Sequence, residues 1–294
     1  VRLRIATRGS ALALWQAEYV ASRLQATGVA DVELVIVETT ADRRLDIPIE
    51  AMGGKGVFVK EVQAAVLDGR ADLAVHSAKD LPASTPAGLV IAAVPERADP
   101  RDVLVGTRLA DLPTGAHIAT GSVRRKVQLA ERRPDLRFSG LRGNIATRLS
   151  RLGEFDAIVM AKAALDRLQL TPDVVDVFDV DVMLPQVGQG ALAVECHVDD
   201  GSTQAVLARI EHAPSRRTLD TERAFLDELG GDCDLPAGAH AVLDGERITL
   251  QGMLAARDAT TVLREQAVDD QPDRLGRTVA RALVARGGDA LASQ

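Results

Sequence analysis

The sequence predicts an α/β fold: two α/β domains followed by a small α+β C-terminal domain. Three observations carry this. Short apolar runs of strand length alternate with helically spaced segments over most of the chain. Polar turns rich in Gly, Ser, Thr and Arg stand where those strands end. Beyond Ala239 the pattern switches to strand-period alternation on either side of Asp244-Gly245, a hairpin signal. With 294 residues the chain exceeds one comfortable core, so several domains are expected.

In chain order, residues 2–6 alternate basic and apolar side chains as a strand. They lead through Thr7-Arg8-Gly9-Ser10 into a helix over 11–24, with Leu12, Trp15, Tyr19 and Val20 at helical spacing. Free N–H groups at such a strand-to-helix junction favour an anion, and Arg8 suits that use; Ser10 is equally well read as the N-cap. Residues 32–38 are a second strand. Residues 39–56 are polar and glycine-punctuated around Lys55, which reads as a loop able to close over a cleft. No Ser or Thr follows Lys55, so the phosphate-loop pattern is not met. Residues 58–67 are an amphipathic helix, 89–94 a strand, and 95–100 a turn-rich crossing into a second unit.

That unit repeats the design. Strands over 103–106, 117–119, 137–139 and 156–160 alternate with helices opening near Ser122, Ile145 and Ala161. Thr120, Ser122, Arg124 and Arg125 stand at one strand-to-helix junction, Arg142 follows another strand, and Arg148 lies on the next helix. Two adjacent arginines at a helix start are not expected to lie against the core together; one or both should project to solvent or to a ligand. Arginines delivered repeatedly to strand ends suggest a cleft that grips several carboxylates or phosphates. A glycine turn over 185–190 precedes a buried strand over 191–194, and 215–229 is helical. Strands over 239–243, 248–255 and 261–268 and a helix over 273–285 complete the chain.

The stretch Asp72 to Pro82 is the centre of interest. Leu73, Ala74 and Val75 form a run typical of a strand buried on both faces of a parallel sheet, and His76, Ser77, Lys79 and Asp80 follow abruptly. Ligands of open α/β sheets bind at the carboxyl ends of strands, so a carboxylate and an ammonium there suggest chemistry, although a surface ion pair would read the same way.

Composition narrows the classes. A net charge of −7 with only 2% aromatic residues argues against a nucleic-acid surface and fits a small polyanionic ligand held by local arginines. No apolar run of about 18 residues and no basic-then-apolar leader is seen, so a cytoplasmic protein without membrane contact is expected. No exposed apolar stripe demands a partner, and a monomer is expected. The two cysteines, Cys196 and Cys233, lack metal-ligand spacing, so no metal site is expected. Cys196 sits in a strand-like run as a small buried hydrophobe, whereas Cys233 lies in a polar loop where it is available for reaction.

Six strings resemble those of the porphobilinogen deaminase (hydroxymethylbilane synthase) family, in the family's order. They are Thr7-Arg8-Gly9-Ser10, Gly53-Gly54-Lys55-Gly56, Val75-His76-Ser77-Ala78-Lys79-Asp80, Gly121-Ser122-Val123-Arg124-Arg125, Leu141-Arg142-Gly143-Asn144 and Val187-Gly188-Gln189-Gly190. The resemblance implies three domains, here 1–95 with 187–207, 96–186 and 208–294. The first two would be built like periplasmic binding proteins with the active site between them. It implies a transferase of haem and related tetrapyrrole synthesis. Four porphobilinogen molecules are joined head to tail on a dipyrromethane cofactor with release of ammonia, and hydrolysis then frees hydroxymethylbilane.

By the same resemblance, Cys233 carries the cofactor through a thioether, and Asp80 is the catalytic carboxylate. Ser77, Lys79, Asp80, Thr120, Ser122, Arg124 and Arg125 hold the cofactor, while Arg8, Ser10, Arg142, Arg148 and Lys55 face the substrate. Each pyrrole carries an acetate and a propionate, which accounts for the arginines. The chain departs from the family at Asp232 and Asp234, which flank Cys233 and tend to raise a thiol pKa, and at His197, where an arginine is common. The competing reading is a two-lobed small-anion-binding protein without catalysis, which would need neither Cys233 nor Asp80.

Overall fold

The computed structural model describes residues 2–39, 59–230 and 235–288. The chain opens with β1 (Arg2–Arg8), α1 (Ala11–Ala26), β2 (Asp31–Val37), α2 (Lys60–Leu67), β3 (Leu73–Ser77) and β4 (Leu89–Ala93). It continues with β5 (Asp102–Val105), β6 (His117–Ala119), α3 (Val123–Arg132), β7 (Arg137–Ser139), α4 (Ile145–Ser150), β8 (Ala157–Ala161), α5 (Lys162–Arg167) and β9 (Val175–Val177). The last elements are β10 (Leu192–His197), α6 (Gly201–Leu207), α7 (Ala213–Glu228), β11 (Ala237–Asp244), β12 (Arg247–Ala255), β13 (Val262–Asp269) and α8 (Pro272–Leu283). The chain divides into two compact units, Val1–Ala98 with Ala191–Arg217 and Asp99–Gly190 with Thr218–Gln294.

The first unit is built on a five-stranded sheet in the order β2-β1-β3-β10-β4. β1 runs parallel to β2 and β3, and β10 runs antiparallel to β3 and β4, so the sheet is mixed and not all-parallel. Side chains alternate across it. Leu3, Ile5, Leu73 and Val75 meet Ala17, Val20 and Leu24 of α1 on one face. Ala6 and Ala74 meet Val62, Ala65 and Val66 of α2 on the other. Burial on both faces is why β3 reads as a continuous apolar run.

In the second unit a sheet of order β7-β6-β8-β5-β9 repeats this pattern, with three parallel strands followed by antiparallel ones. The same unit contains the antiparallel meander β11-β12-β13. Asp244 pairs with Arg247 across a two-residue loop in which Gly245 takes φ +55°, the left-handed region that such a hairpin needs. Phe225 of α7 and Leu275, Val279 and Leu283 of α8 cover the meander's inner face, built from Ala239, Ile248 and Leu250.

The fold class is the α/β arrangement with a small α+β C-terminal part that the sequence predicts. Two elements escaped it. β9 is a three-residue edge strand that begins on exposed Val175, too short for periodicity to register. α6 is opened by the Asp200 side chain, which accepts from the N–H of Thr203 at 3.0 Å; an Asp with Thr three positions on is a capping signal that could have found it.

At the crossing of α7 and α8, Gly276 has no room for a side chain. An added Cβ would meet Ala224 Cβ and Phe225 N at 2.7 Å, and the Thr221 carbonyl oxygen closer still. Gly276→Ala is therefore expected to lower stability by about 1–3 kcal/mol through overpacking, despite alanine's better helix propensity. Chemical denaturation measures it, and an unchanged midpoint would mean that the helices separate at no cost.

Candidate active site

In the first unit the parallel pairing of β1 and β3 brings their carboxyl ends to one edge of the sheet. Arg8 is the last residue of β1 and Ser77 the last of β3. Past Ser77 the chain makes one tight turn, Ala78–Asp80, pinned by the Ala78 N–H donating to the Ala191 carbonyl at 3.0 Å and the Leu81 N–H to the Ala78 carbonyl at 3.2 Å. This turn carries Lys79 and presents Asp80 beside Ser77. Arg8, Gln16, His76, Ser77 and Asp80 line a depression of roughly 320 Å³ that is open to solvent. The Gln16 amide donates to the Ser77 hydroxyl at 2.8 Å and fixes it. Ser10 is the N-cap of α1, its hydroxyl accepting from the Ala13 N–H at 3.3 Å.

A buried histidine–carboxylate contact that sequence reasoning missed lies behind the depression. His76 Nε2 is 3.1 Å from Glu195 Oε2, and Gln63 donates to the same oxygen at 2.9 Å. Glu195 alternates with Val194 and Cys196 on β10 and so points to the opposite face, where α2 supplies Gln63.

In the second unit the parallel strands β6 and β7 likewise bring Thr120, Ser122 and Arg142 to one end of the sheet. Ser122 caps α3 by accepting from the Arg125 N–H at 3.4 Å, and Thr120 Oγ1 accepts from the Ser122 N–H at 3.2 Å. The Arg148 guanidinium donates to the Gly143 carbonyl at 2.8 Å.

The expectation for Arg124 and Arg125 needs correcting. Both lie inside, 3% and 7% exposed, because a fully buried carboxylate, Asp102 at the start of β5, waits for them. Arg124 Nη2 and Arg125 Nη2 each stand 2.8 Å from Asp102, on different oxygens. Burial pushes the Asp102 carboxyl up, but Arg124, Arg125 and the Gln189 hydrogen bond outweigh it and leave its pKa below the ordinary value. For Arg124 burial wins, and its pKa falls in spite of Asp102. The signal was a lone charge opening an apolar run, Asp102 before Val103-Leu104-Val105. A buried charge in such a place requires a partner.

Of the two cysteines, Cys196 is buried in β10 with its thiol pushed up to about 11, by burial first and then by Asp200 and Glu195. A protonated, enclosed thiol is no nucleophile. Cys233 and Lys55 lie outside the described residues. His197 is partly exposed, and its Nδ1 accepts from the Asp199 N–H at 3.2 Å, as a surface histidine would. Among the described residues no cluster of His, Cys, Asp and Glu could hold a metal ion, and no helix is long and apolar enough to cross a membrane.

The first unit's sheet ends in a carboxylate beside a guanidinium, and the second unit's sheet, of the same topology, ends in hydroxyls and guanidinium groups. Comparison with known proteins makes this specific. Residues 3–205 match the family model described as porphobilinogen deaminase, dipyromethane cofactor binding domain, and residues 217–285 match the porphobilinogen deaminase C-terminal domain. The chain belongs to the porphobilinogen deaminase family. It is 44% identical over 297 residues to the porphobilinogen deaminase of Brevibacillus brevis, covering 98% of this chain and 96% of that one. It is also 44% identical over 295 residues to that of Syntrophotalea carbinolica, covering 98% and 94%. A similar solved structure is the periplasmic aliphatic sulphonate binding protein SsuA from Escherichia coli, at TM-score 0.40 and 15% identity over 77% of this chain and 70% of that one.

The chain is thus an enzyme, a transferase of porphyrin biosynthesis with a domain that binds dipyrromethane. The residues present suit that group. Its pyrrole N–H groups need an acceptor and its carboxylates need cations. Arg124, almost fully buried, gives Nη1 to the Leu184 carbonyl and Nη2 to Asp102 and keeps Nε without a hydrogen-bond partner, a donor to spare for an anion.

Proposed function

We propose that the chain joins four porphobilinogen molecules head to tail and releases the product as hydroxymethylbilane. In each condensation a C–C bond forms between the aminomethyl carbon of one porphobilinogen and the free α-carbon of the growing pyrrole. The C–N bond breaks, ammonia leaves, and the α-carbon gives up its proton; water releases the finished chain. The observation that carries this reading is Asp80 at the carboxyl end of β3, in one depression with Arg8.

Loss of ammonia leaves positive charge on the substrate's pyrrole nitrogen. Asp80 accepts that N–H and offsets the charge from a fixed position, with no solvent reorganisation at the moment of reaction. When bound through a thioether to Cys233, the dipyrromethane supplies the pyrrole to which the first substrate is joined. Ser77, Lys79, Thr120, Ser122, Arg124 and Arg125 would hold it by its side chains and N–H groups. Arg8, Ser10, Arg142, Arg148 and Lys55 would take the carboxylates of the incoming substrate, the guanidiniums in bidentate fashion. The three-domain division at 95/96, 186/187 and 207/208, a cytoplasmic location and a monomeric state belong to the same proposal. The names of the relatives favour this reading over a binding protein without catalysis.

Incubation with porphobilinogen tests it. The purified chain is expected to release four ammonia molecules for each hydroxymethylbilane formed. Binding without ammonia release would return the chain to the non-catalytic reading.

A further inference from the structure

The turn Val187-Gly188-Gln189-Gly190 has no part in the reaction as described, yet its side chain reaches the most highly charged spot of the second unit's interior. Gln189 Nε2 donates to Asp102 Oδ1 at 2.9 Å and to the Pro100 carbonyl at 2.7 Å, and is itself buried. Asp102 then uses Oδ1 for Arg125, whose Nε lies at 2.9 Å, and Oδ2 for Arg124. Each guanidinium is held on its far side by a backbone carbonyl, Arg124 Nη1 by Leu184 at 2.6 Å and Arg125 Nη1 by Val159 at 3.1 Å. The turn is fixed in its own right. The Gly188 N–H donates to the buried Glu222 carboxylate at 2.8 Å, and the Gly190 carbonyl accepts from Arg167 at 2.7 Å.

Neighbouring positions on a helix point about 100° apart, so Arg124 and Arg125 converge only because a single carboxylate stands between them. One carboxylate cannot neutralise two cations. A cluster evolved for stability alone would be balanced, since an unpaired buried charge is costly. This one leaves a positive excess, with Arg124 Nε still without a hydrogen bond.

We propose that Asp102, oriented by Gln189, is a positioning residue that aims the Arg124 and Arg125 guanidiniums at the carboxylates of the dipyrromethane. The inference rests on the reading that these two arginines hold that group. Asp102 itself does not touch the ligand: it separates two cations that would otherwise repel each other and splay apart, and it sets the plane of each fork. The turn over 187–190 thereby acquires a role, since its glutamine decides where Asp102 points.

The test compares unloaded protein as wild type, Gln189→Met, Asp102→Asn, Asp102→Glu, Arg124→Met and Arg125→Met. Each is incubated with graded porphobilinogen. The fraction of chains carrying the added mass is read by intact mass spectrometry, and the thermal midpoint is read before and after loading. Gln189→Met keeps every charge and nearly the same volume. It is expected to lower the unloaded midpoint less than Asp102→Asn does, while raising the concentration for half-loading roughly tenfold or more, the size that outer partners have around other tightly held groups. Asp102→Asn should load least, and Asp102→Glu, with the carboxylate restored, should load better than Asp102→Asn.

Wild-type loading by Gln189→Met and Asp102→Asn would overturn the positioning role, as would failure of both to fold, which would make the cluster structural only. If Arg124→Met and Arg125→Met load normally, the reading beneath the proposal fails. If they fail to load while Gln189→Met and Asp102→Asn load normally, only the positioning role is lost.

Discussion

Asp80→Asn is expected to lower kcat for porphobilinogen consumption about 10²–10³-fold, the effect of removing one preorganised group that stabilises charge in the transition state. Asparagine keeps the shape and one acceptor oxygen but loses the negative charge. Asp80 lines an open depression with Arg8, Gln16 and Ser77 and is not enclosed in the core. The tight turn that carries it is held by main-chain bonds from Ala78 and Leu81, which the substitution does not touch. Circular dichroism and the thermal midpoint should match wild type while ammonia release falls. Near-normal turnover would remove Asp80 from the reaction and leave the depression around Arg8 as a binding feature only.

The contrast with Asp102 shows what kind of carboxylate each is. Asp80 stands at an open strand end with Arg8, Gln16 and Ser77 around it. Asp102 is fully buried, and both of its oxygens are engaged by arginines. Removing one partner of a buried pair costs about 3–5 kcal/mol, so loss of Asp102 carries a stability penalty that loss of Asp80 does not. The two substitutions therefore separate charge used for chemistry from charge used to place other side chains.

Much of the fold could be read from the chain because the physics involved is local. Strand and helix periods locate β1, α1, β3 and the C-terminal meander within a few residues, and Asp244-Gly245 marks the hairpin that the structure contains. The abrupt change after Val75 locates the end of β3, and with it Asp80. What could not be read depends on partners distant in sequence. Arg124 and Arg125 look solvated until Asp102 and Gln189 are brought beside them from 23 and 64 residues away from Arg125. Nothing near His76 announces Glu195, which arrives on β10 by antiparallel pairing of His76 with Ala193. The mixed character of the sheet is hidden for the same reason: a strand buried on both faces has the same composition whichever way its neighbours run. Cys233 and Lys55, read from the sequence as tether and loop cation, lie outside the described residues, and their assignment rests on the family resemblance.

Cys233→Ser carries the second large effect. A serine hydroxyl is a far weaker nucleophile than a thiol at neutral pH, and Cys196 cannot substitute, because it is enclosed and its thiol is pushed up to about 11. The substitution should abolish attachment of the cofactor and with it all turnover, while the fold persists. The intact mass of wild-type protein and Cys233→Ser, each weighed before and after incubation with porphobilinogen, tests the whole account most directly. The account predicts a wild-type chain heavier than its sequence by two linked pyrrole units and a variant that keeps its bare mass throughout. A wild-type chain that stays at its bare mass even after porphobilinogen, or a Cys233→Ser chain that gains the same mass, would contradict it.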